Sequence, residues 1–291
     1  MITLNDYCLS QFGEKLYKIS LSGGMSCPNR DGKIGTRGCI FCSAGGSGDF
    51  TPPLSMSIEE QIEDAKRRVA GKFSGSRYIA YFQAYTNTYA PVEYLRELFM
   101  PVIGRDDIAV LSIATRPDCL GDDVLELLSE LSAIKPVWVE LGLQTIHAET
   151  AEYIRRGYPL LVYDEAVNKL NALGIHTVTH VILGLPHESR EDMLATVRHV
   201  KEMHSSGIKL QLLHVLEGTD LADDYRAGKF DVMAFEDYVN LVCRCVKEIG
   251  DSMVIHRLTG DGPKRLLLAP KWSADKKRVI NAINRAISEM T

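Results

Sequence analysis

No stretch of the 291-residue chain approaches the ~20 consecutive apolar residues that a membrane helix needs. The opening residues, Met1 to Ser10, lack a basic start followed by an apolar run, so no secretory signal is legible. Internal repeats and low-complexity segments are missing too, which excludes solenoids and disordered arrays. A general excess of positive charge is absent: the formal net charge is -5. These absences point to a cytoplasmic globular protein without a membrane partner. In that compartment the seven cysteines stay reduced, and a clustered subset reads as ligand or catalyst before disulfide.

Hydrophobic residues make up 45% and charged residues 24%, enough to bury the core of one large α/β barrel or two small domains. Strand candidates are Tyr17–Ser22, Tyr78–Gln83, Ile108–Ala114, Val137–Leu143, Thr177–Leu183 and Leu210–Leu216, dense in Val, Ile, Leu and Tyr with little polar alternation. That density suits parallel strands covered on both faces. Helix signals stand between them. Ser57 and Glu60 form a capping box ahead of Ile58, Ile62, Ala65 and Val69, and Pro91 opens a helix bearing Val92, Leu95 and Leu98. Asp164 leads into Ala166, Val167, Leu170 and Leu173, which Gly174 ends. Six β-then-α units predict a partial (β/α)6 TIM-like barrel over residues 1–250. Residues 251–291 read as a small C-terminal extension: a short strand Met253–His256, a Gly/Pro-rich loop and a helix Ser273–Ser288. In such barrels the site forms at the C-terminal ends of the strands.

The loop after the first strand carries Cys27, Cys39 and Cys42, with Gly32, Gly35 and Gly38 letting it curl tightly. Three converging thiols have two readings. Structural zinc wants four closed ligands. A [4Fe–4S] cluster on three cysteines keeps one iron open to a further ligand. No fourth cysteine or histidine lies nearby.

On these residues the chain resembles the radical S-adenosylmethionine superfamily, whose usual pattern is C-x3-C-x2-C with an aromatic before the last cysteine. Phe41 matches the aromatic and Cys39 with Cys42 the final pair, whereas eleven residues separate Cys27 from Cys39. A lengthened first gap is also found in the Elongator catalytic subunit. Val139-Glu140-Leu141-Gly142-Leu143-Gln144 is similar to a strand motif of the Elongator subunit and of oxygen-independent coproporphyrinogen oxidase. The resemblance implies that Glu140 and Gln144 belong to the cofactor site, Gln144 facing the ribose and methionine of S-adenosylmethionine. It also implies that Arg156, twelve residues on, takes the cofactor carboxylate, a task suited to a guanidinium fork; Arg155 is its rival. Gly184, in Leu183-Gly184-Leu185-Pro186, is similar to a G-L-P segment packed on adenine. Arg116 reads either as a cofactor-side residue of a T-R-P-D motif or as the ion-pair partner of Asp118. The G-G-E-P motif that commonly holds the cofactor amino group is absent; Gln83, Thr86 and Asn87 stand in its place.

The implied activity is reductive cleavage of S-adenosylmethionine to a 5′-deoxyadenosyl radical, with an electron from a partner such as flavodoxin or ferredoxin. Residues His256 to Pro263 and Ala269 to Ser273, with Lys276-Lys277-Arg278, resemble the short YhcC-like family. That family is linked to MnmL-type conversion of 5-carboxymethylaminomethyl-uridine to 5-aminomethyl-uridine at the tRNA wobble position. His256, Arg257 and Asp261, polar residues dense beside Gly260 and Gly262, read as catalytic residues over the barrel mouth or as a capped, salt-bridged loop. Trp272 reads as a base-stacking platform or as an anchor for the last helix. A radical enzyme on a tetrapyrrole or other small molecule, and a zinc-stabilised RNA-binding module without catalysis, are the competing readings.

Overall fold

The computed structural model describes the chain except Ser47, Phe50, Ser74 and Thr291. All six expected strands form. In chain order the strands are β1 (Ile2–Thr3), β2 (Tyr17–Leu21), β3 (Tyr78–Phe82), β4 (Ile108–Thr115), β5 (Val137–Gln144), β6 (His176–Leu183), β7 (Gly207–Leu212), β8 (Val215–Leu216), β9 (Val254–Arg257) and β10 (Leu267–Ala269). Eight of them build one sheet in the order β1-β9-β7-β6-β5-β4-β3-β2, every pair parallel. The edge strands β1 and β2 do not pair, so the barrel stays open.

The strand expected at Met253–His256 forms as β9, which lies between β7 and β1 inside the sheet, and β1 is a sheet strand beyond those expected. A four-residue strand has too little pattern to announce a partner, and its place follows from tertiary packing. Strands β8 and β10 form a separate antiparallel ribbon. The helix expected from Asp164 starts four residues earlier, at Leu160 behind the extended Pro159. Asp164 instead accepts from His199 Nε2 at 2.7 Å.

Outward-facing Val139, Leu141 and Leu143 of β5 join Leu95, Leu128, Val167 and Val197 of the surrounding helices in the main core. Inside the barrel, the base is plugged by Ile79, Val110, Trp138 and Val178 under Cys8 and Leu16. Above that plug the inward positions turn polar: Lys18 and Ser20, Tyr81 and Gln83, Ser112, Glu140, His180, and Lys209 with Gln211. Apolar base and polar upper layer place the chemistry at the carboxyl ends of the strands.

Candidate active site

The glycine-bearing loop after β2 is tied down by its own polar side chains. Asn29 Nδ2 donates to the carbonyls of Arg155 at 2.8 Å and Arg156 at 3.3 Å, and reaches Cys39 Sγ at 3.4 Å. Arg30 Nη2 donates to Ser43 O at 2.6 Å and Cys42 O at 3.2 Å. Tyr85, held at φ 59°, donates its hydroxyl to Ala44 O at 2.6 Å and lies flush on Gly46. A Cβ on Gly46 would meet the Tyr85 ring at 2.3 Å. Gly46→Ala is therefore expected to displace Tyr85 and loosen the loop, lowering iron retention in reconstituted protein while the far-UV circular dichroism stays unchanged; full iron retention would refute this.

The result is a cavity, open on one side, whose wall carries Cys27, Cys39 and Cys42 together with Phe41, Glu140, Gln144, Arg156, His180, Lys209 and Arg257. Cys39 and Cys42 share a proton: hydrogen bonding with the Cys42 thiol, reinforced by Asn29 and Arg116, brings Cys39 down to about 6, and the same contact pushes Cys42 well up. A readily formed thiolate is the form a metal binds. Among the described residues no three His, Cys, Asp or Glu side chains draw together tightly enough for a single metal ion.

Gln144 sits at φ 70°, a region a glutamine enters only when the surroundings hold it there. The pairing of β5 with β6 slips between Gly142 and Gln144, and Gln144 Oε1 is left buried without a partner. A buried acceptor of this kind calls for a ligand donor. Arg156 is buried and donates Nε to Tyr158 O at 3.0 Å and Nη1 to Leu143 O at 3.2 Å, with no carboxylate paired to it among the described residues. Burial pushes its proton affinity down, as expected for a cation lacking a counter-ion. Arg155, the rival, pairs with Asp220 at 2.5 Å, and Arg116 is held by Asp118 at 2.7 and 2.9 Å. The ion-pair reading of Arg116 is thus the one realised, although its side chain also lines the cavity.

Several expected positions fall elsewhere. His256 does not hang over the mouth. Its ring lies within the barrel base, 5.1 Å from Trp138 and 5.8 Å from His176, with both ring nitrogens buried, and burial holds it well below its ordinary value. The reason is a bulge in β9, where Ile255 pairs with Ile208 but Arg257 with Lys209, so His256 is the extra residue. Asp261 pairs with Lys276 and borders a second cavity beside the first. Gly184 is not among the residues lining the cysteine cavity; its φ of 88° turns the chain toward Met233 and Leu213. Glu140 lines the cavity with both oxygens engaged: Lys18 at 2.6 Å, Ser112 at 2.7 Å, His180 at 2.7 Å, and Lys209. Of the substitutes for the missing motif, Gln83 and Thr86 line the cavity, whereas Asn87 Nδ2 braces the carbonyls of Phe82 at 3.1 Å and Ala114 at 2.9 Å. Trp272 donates Nε1 to Met233 O at 3.1 Å and packs on Phe235 and Tyr238, which makes it the anchor of the last helix.

Lys18, Ser112, Lys209 and His214 were not singled out by sequence. A lysine among apolar neighbours and one further polar residue, Ser20 in Tyr17–Leu21 and Gln211 in Gly207–Leu212, is the available signal. His214 stands against Gly260 and Gly262 on the second cavity, and burial brings it down to about 4.

An open parallel β/α barrel with three thiols, an unpaired arginine and an orphaned amide oxygen around its mouth defines a barrel enzyme built to hold a thiolate-ligated centre and a polar cofactor. The radical SAM superfamily model matches residues 31–200, and the radical SAM C-terminal domain model matches 205–289. The chain belongs to the radical SAM superfamily, and is an enzyme whose cofactors are a [4Fe–4S] cluster and S-adenosylmethionine. It is similar to YtqA of Bacillus subtilis, 47% identical over 98% of this chain and 88% of that protein, and to YhcC of Escherichia coli, 35% identical over 96% and 89%. A partial match, 27% identical over 45% of this chain and 24% of the other, is to tRNA uridine(34) acetyltransferase of Methanocaldococcus jannaschii. Among solved structures the fold is shared with Methanocaldococcus infernus Elp3: TM-score 0.68, 15% identity, 94% of this chain and 64% of that one. No helix among the described residues is long and apolar enough to cross a membrane.

Proposed function

We propose that this radical enzyme modifies the wobble uridine of tRNA in the cytoplasm, in a step of the type that turns 5-carboxymethylaminomethyl-uridine into 5-aminomethyl-uridine. The observation that carries the site reading is the meeting of Cys27, Cys39 and Cys42 with Gln144 and Arg156 in one cavity. The three cysteines would hold the cluster. The cluster and S-adenosylmethionine, when bound, supply one-electron cleavage of a carbon–sulfur bond and hence a carbon radical. Arg156 Nη2, the guanidinium nitrogen not given to the carbonyls of Tyr158, Leu143 and Thr145, would donate to a carboxylate, Gln144 Oε1 would accept a hydrogen bond, and Phe41 would pack beside the thiols. A flavodoxin or ferredoxin would deliver the electron.

Two features support tRNA as substrate. One is the partial kinship with a protein named for uridine 34 of tRNA. The other is the C-terminal extension, residues 251–291, where Lys264, Arg265, Lys271, Lys277 and Arg278 are exposed beside the mouth-bordering Asp261 and Pro263. Such a patch can hold a phosphate backbone although the whole chain is acidic. Nucleoside profiling of tRNA from a deletion strain tests the reading. The 5-aminomethyl nucleoside and its descendants should disappear while the carboxymethylaminomethyl precursor accumulates. An unchanged wobble profile would transfer the activity to a small molecule.

A further inference from the structure

We propose that Arg257 is the anchor for a carboxylate carried by the substrate, set at the seam of two adjoining cavities. The proposal deepens the uridine reading by naming the charge the site recognises, and it rests on that reading only for the identity of the molecule. Arg257 lines the cysteine cavity and also the second cavity, and Phe41, Cys42, Gln83 and Gln211 are likewise common to both. A ligand that spans the two cavities lies against this arginine.

The β9 bulge is what puts it there. Regular pairing would send residues 255 and 257 to one face and 256 to the other. With one residue inserted, Arg257 draws level with Lys209 on the inward face. Bulges re-aim side chains in this way beside active sites.

Among the described residues its charge has no partner. No hydrogen bond or ion pair to the Arg257 guanidinium exists among the described residues. The carboxylates within the two cavities are engaged elsewhere: Glu140 by Lys18, Ser112, His180 and Lys209, Asp261 by Lys276, and Asp49 by the Ser43 hydroxyl at 2.7 Å. The neighbouring imidazoles His180 and His214 and the amine of Lys209 carry no negative charge to offset it. A guanidinium cannot shed its proton. Water satisfies it while the seam is open, but a substrate that displaces that water must bring an anion or leave the charge stranded. A planar carboxylate takes the guanidinium fork with two parallel bonds. A backbone phosphate of a folded RNA rides on the surface, whereas Arg257 is level with Lys209, within the barrel.

Equilibrium binding to the cluster-loaded enzyme with S-adenosylmethionine tests this with four probes: 5-carboxymethylaminomethyluridine, its carboxamide, N-methylglycine and inorganic phosphate. The acid should bind roughly 10- to 100-fold tighter than the amide, the usual worth of a charge-assisted pair. Arg257→Gln should erase the preference and Arg257→Lys should restore part of it, both variants keeping wild-type iron content and far-UV circular dichroism. Equal affinity for acid and amide, a preference that survives Arg257→Gln, or tighter Arg257-dependent binding of phosphate than of either carboxylate would overturn the proposal. Arg257-dependent binding of N-methylglycine without binding of the nucleoside would uphold the anchor and discard the uridine reading.

Discussion

Cys27→Ala, Cys39→Ala and Cys42→Ala should each leave reconstituted protein unable to retain about four irons and unable to release 5′-deoxyadenosine. The three thiols line one cavity, and hydrogen bonding makes Cys39 an easy thiolate. Removing any one leaves two sulfurs, too few for a stable cubane. The loss should far exceed the roughly 10- to 100-fold typical of groups that only orient a ligand. Asn29→Ala, which removes the donor 3.4 Å from Cys39 Sγ, should fall within that smaller range. The four other cysteines serve as controls. Cys8, Cys243 and Cys245 are buried in hydrophobic clusters, and Cys119 lies on a different cavity with burial pushing it up to about 12. Substituting any of the four should leave iron content unchanged. Full iron content in any of the three alanine variants would remove that cysteine from the ligand set. One zinc per chain in the wild type would end the cluster assignment.

Much of this arrangement is legible in the sequence because its determinants are local. A glycine-rich loop bearing C-x-x-C is readable without coordinates, and so are six apolar runs separated by capped helices. Of the two arginines weighed, Arg155 is occupied by Asp220 and Arg156 lines the cavity. What escapes is set by pairing between distant segments. The strand at Val254–Arg257 joins β7 across more than forty residues, and its bulge sends His256 into the base and Arg257 into the cavity. No local pattern shows where a register slips. The polar layer around Glu140 escapes for the same reason: its members come from β2, β4, β5, β6 and β7, each contributing one or two polar residues to an apolar run.

That layer gives the largest expected effect on stability. Glu140 is 1% exposed and binds two ammonium groups, one imidazole and one hydroxyl. Burial alone would raise its proton affinity; Lys18 and Lys209, with His180, overcome that and hold it well below the ordinary carboxylate range. Among the described residues Glu140 is the carboxylate bound to both Lys18 and Lys209, and Glu140→Gln leaves the two lysines facing each other without a counter-ion, Lys209 being already held well below its ordinary value by burial. Breaking a buried pair in this way costs about 3–5 kcal/mol, which should appear as a fall in the urea midpoint at pH 7.5. Adding Lys209→Met should recover part of the loss by removing one stranded charge; no recovery would mean that the two residues are not coupled. Acid should reproduce the effect in the wild type, with a definite sign. Glu140 stabilises the fold above the ordinary glutamate range, and that contribution is lost as pH falls through its depressed native value. Burial brings His180 from 6.5 to about 4, so between those values the unfolded chain binds the proton and the native chain refuses it. Stability must therefore fall as pH drops from about 6.5 to about 4. His176 and His214, likewise brought down to about 4, add to the slope. At about 1.4 kcal/mol per tenfold change in proton affinity, the combined loss is on the order of several kcal/mol. Urea unfolding at pH 7.5, 6.0 and 4.5 measures it. His180→Gln should flatten the acid limb because glutamine does not titrate. A wild-type protein equally stable at all three pH values would show that these imidazoles and their carboxylate are not sealed inside the barrel.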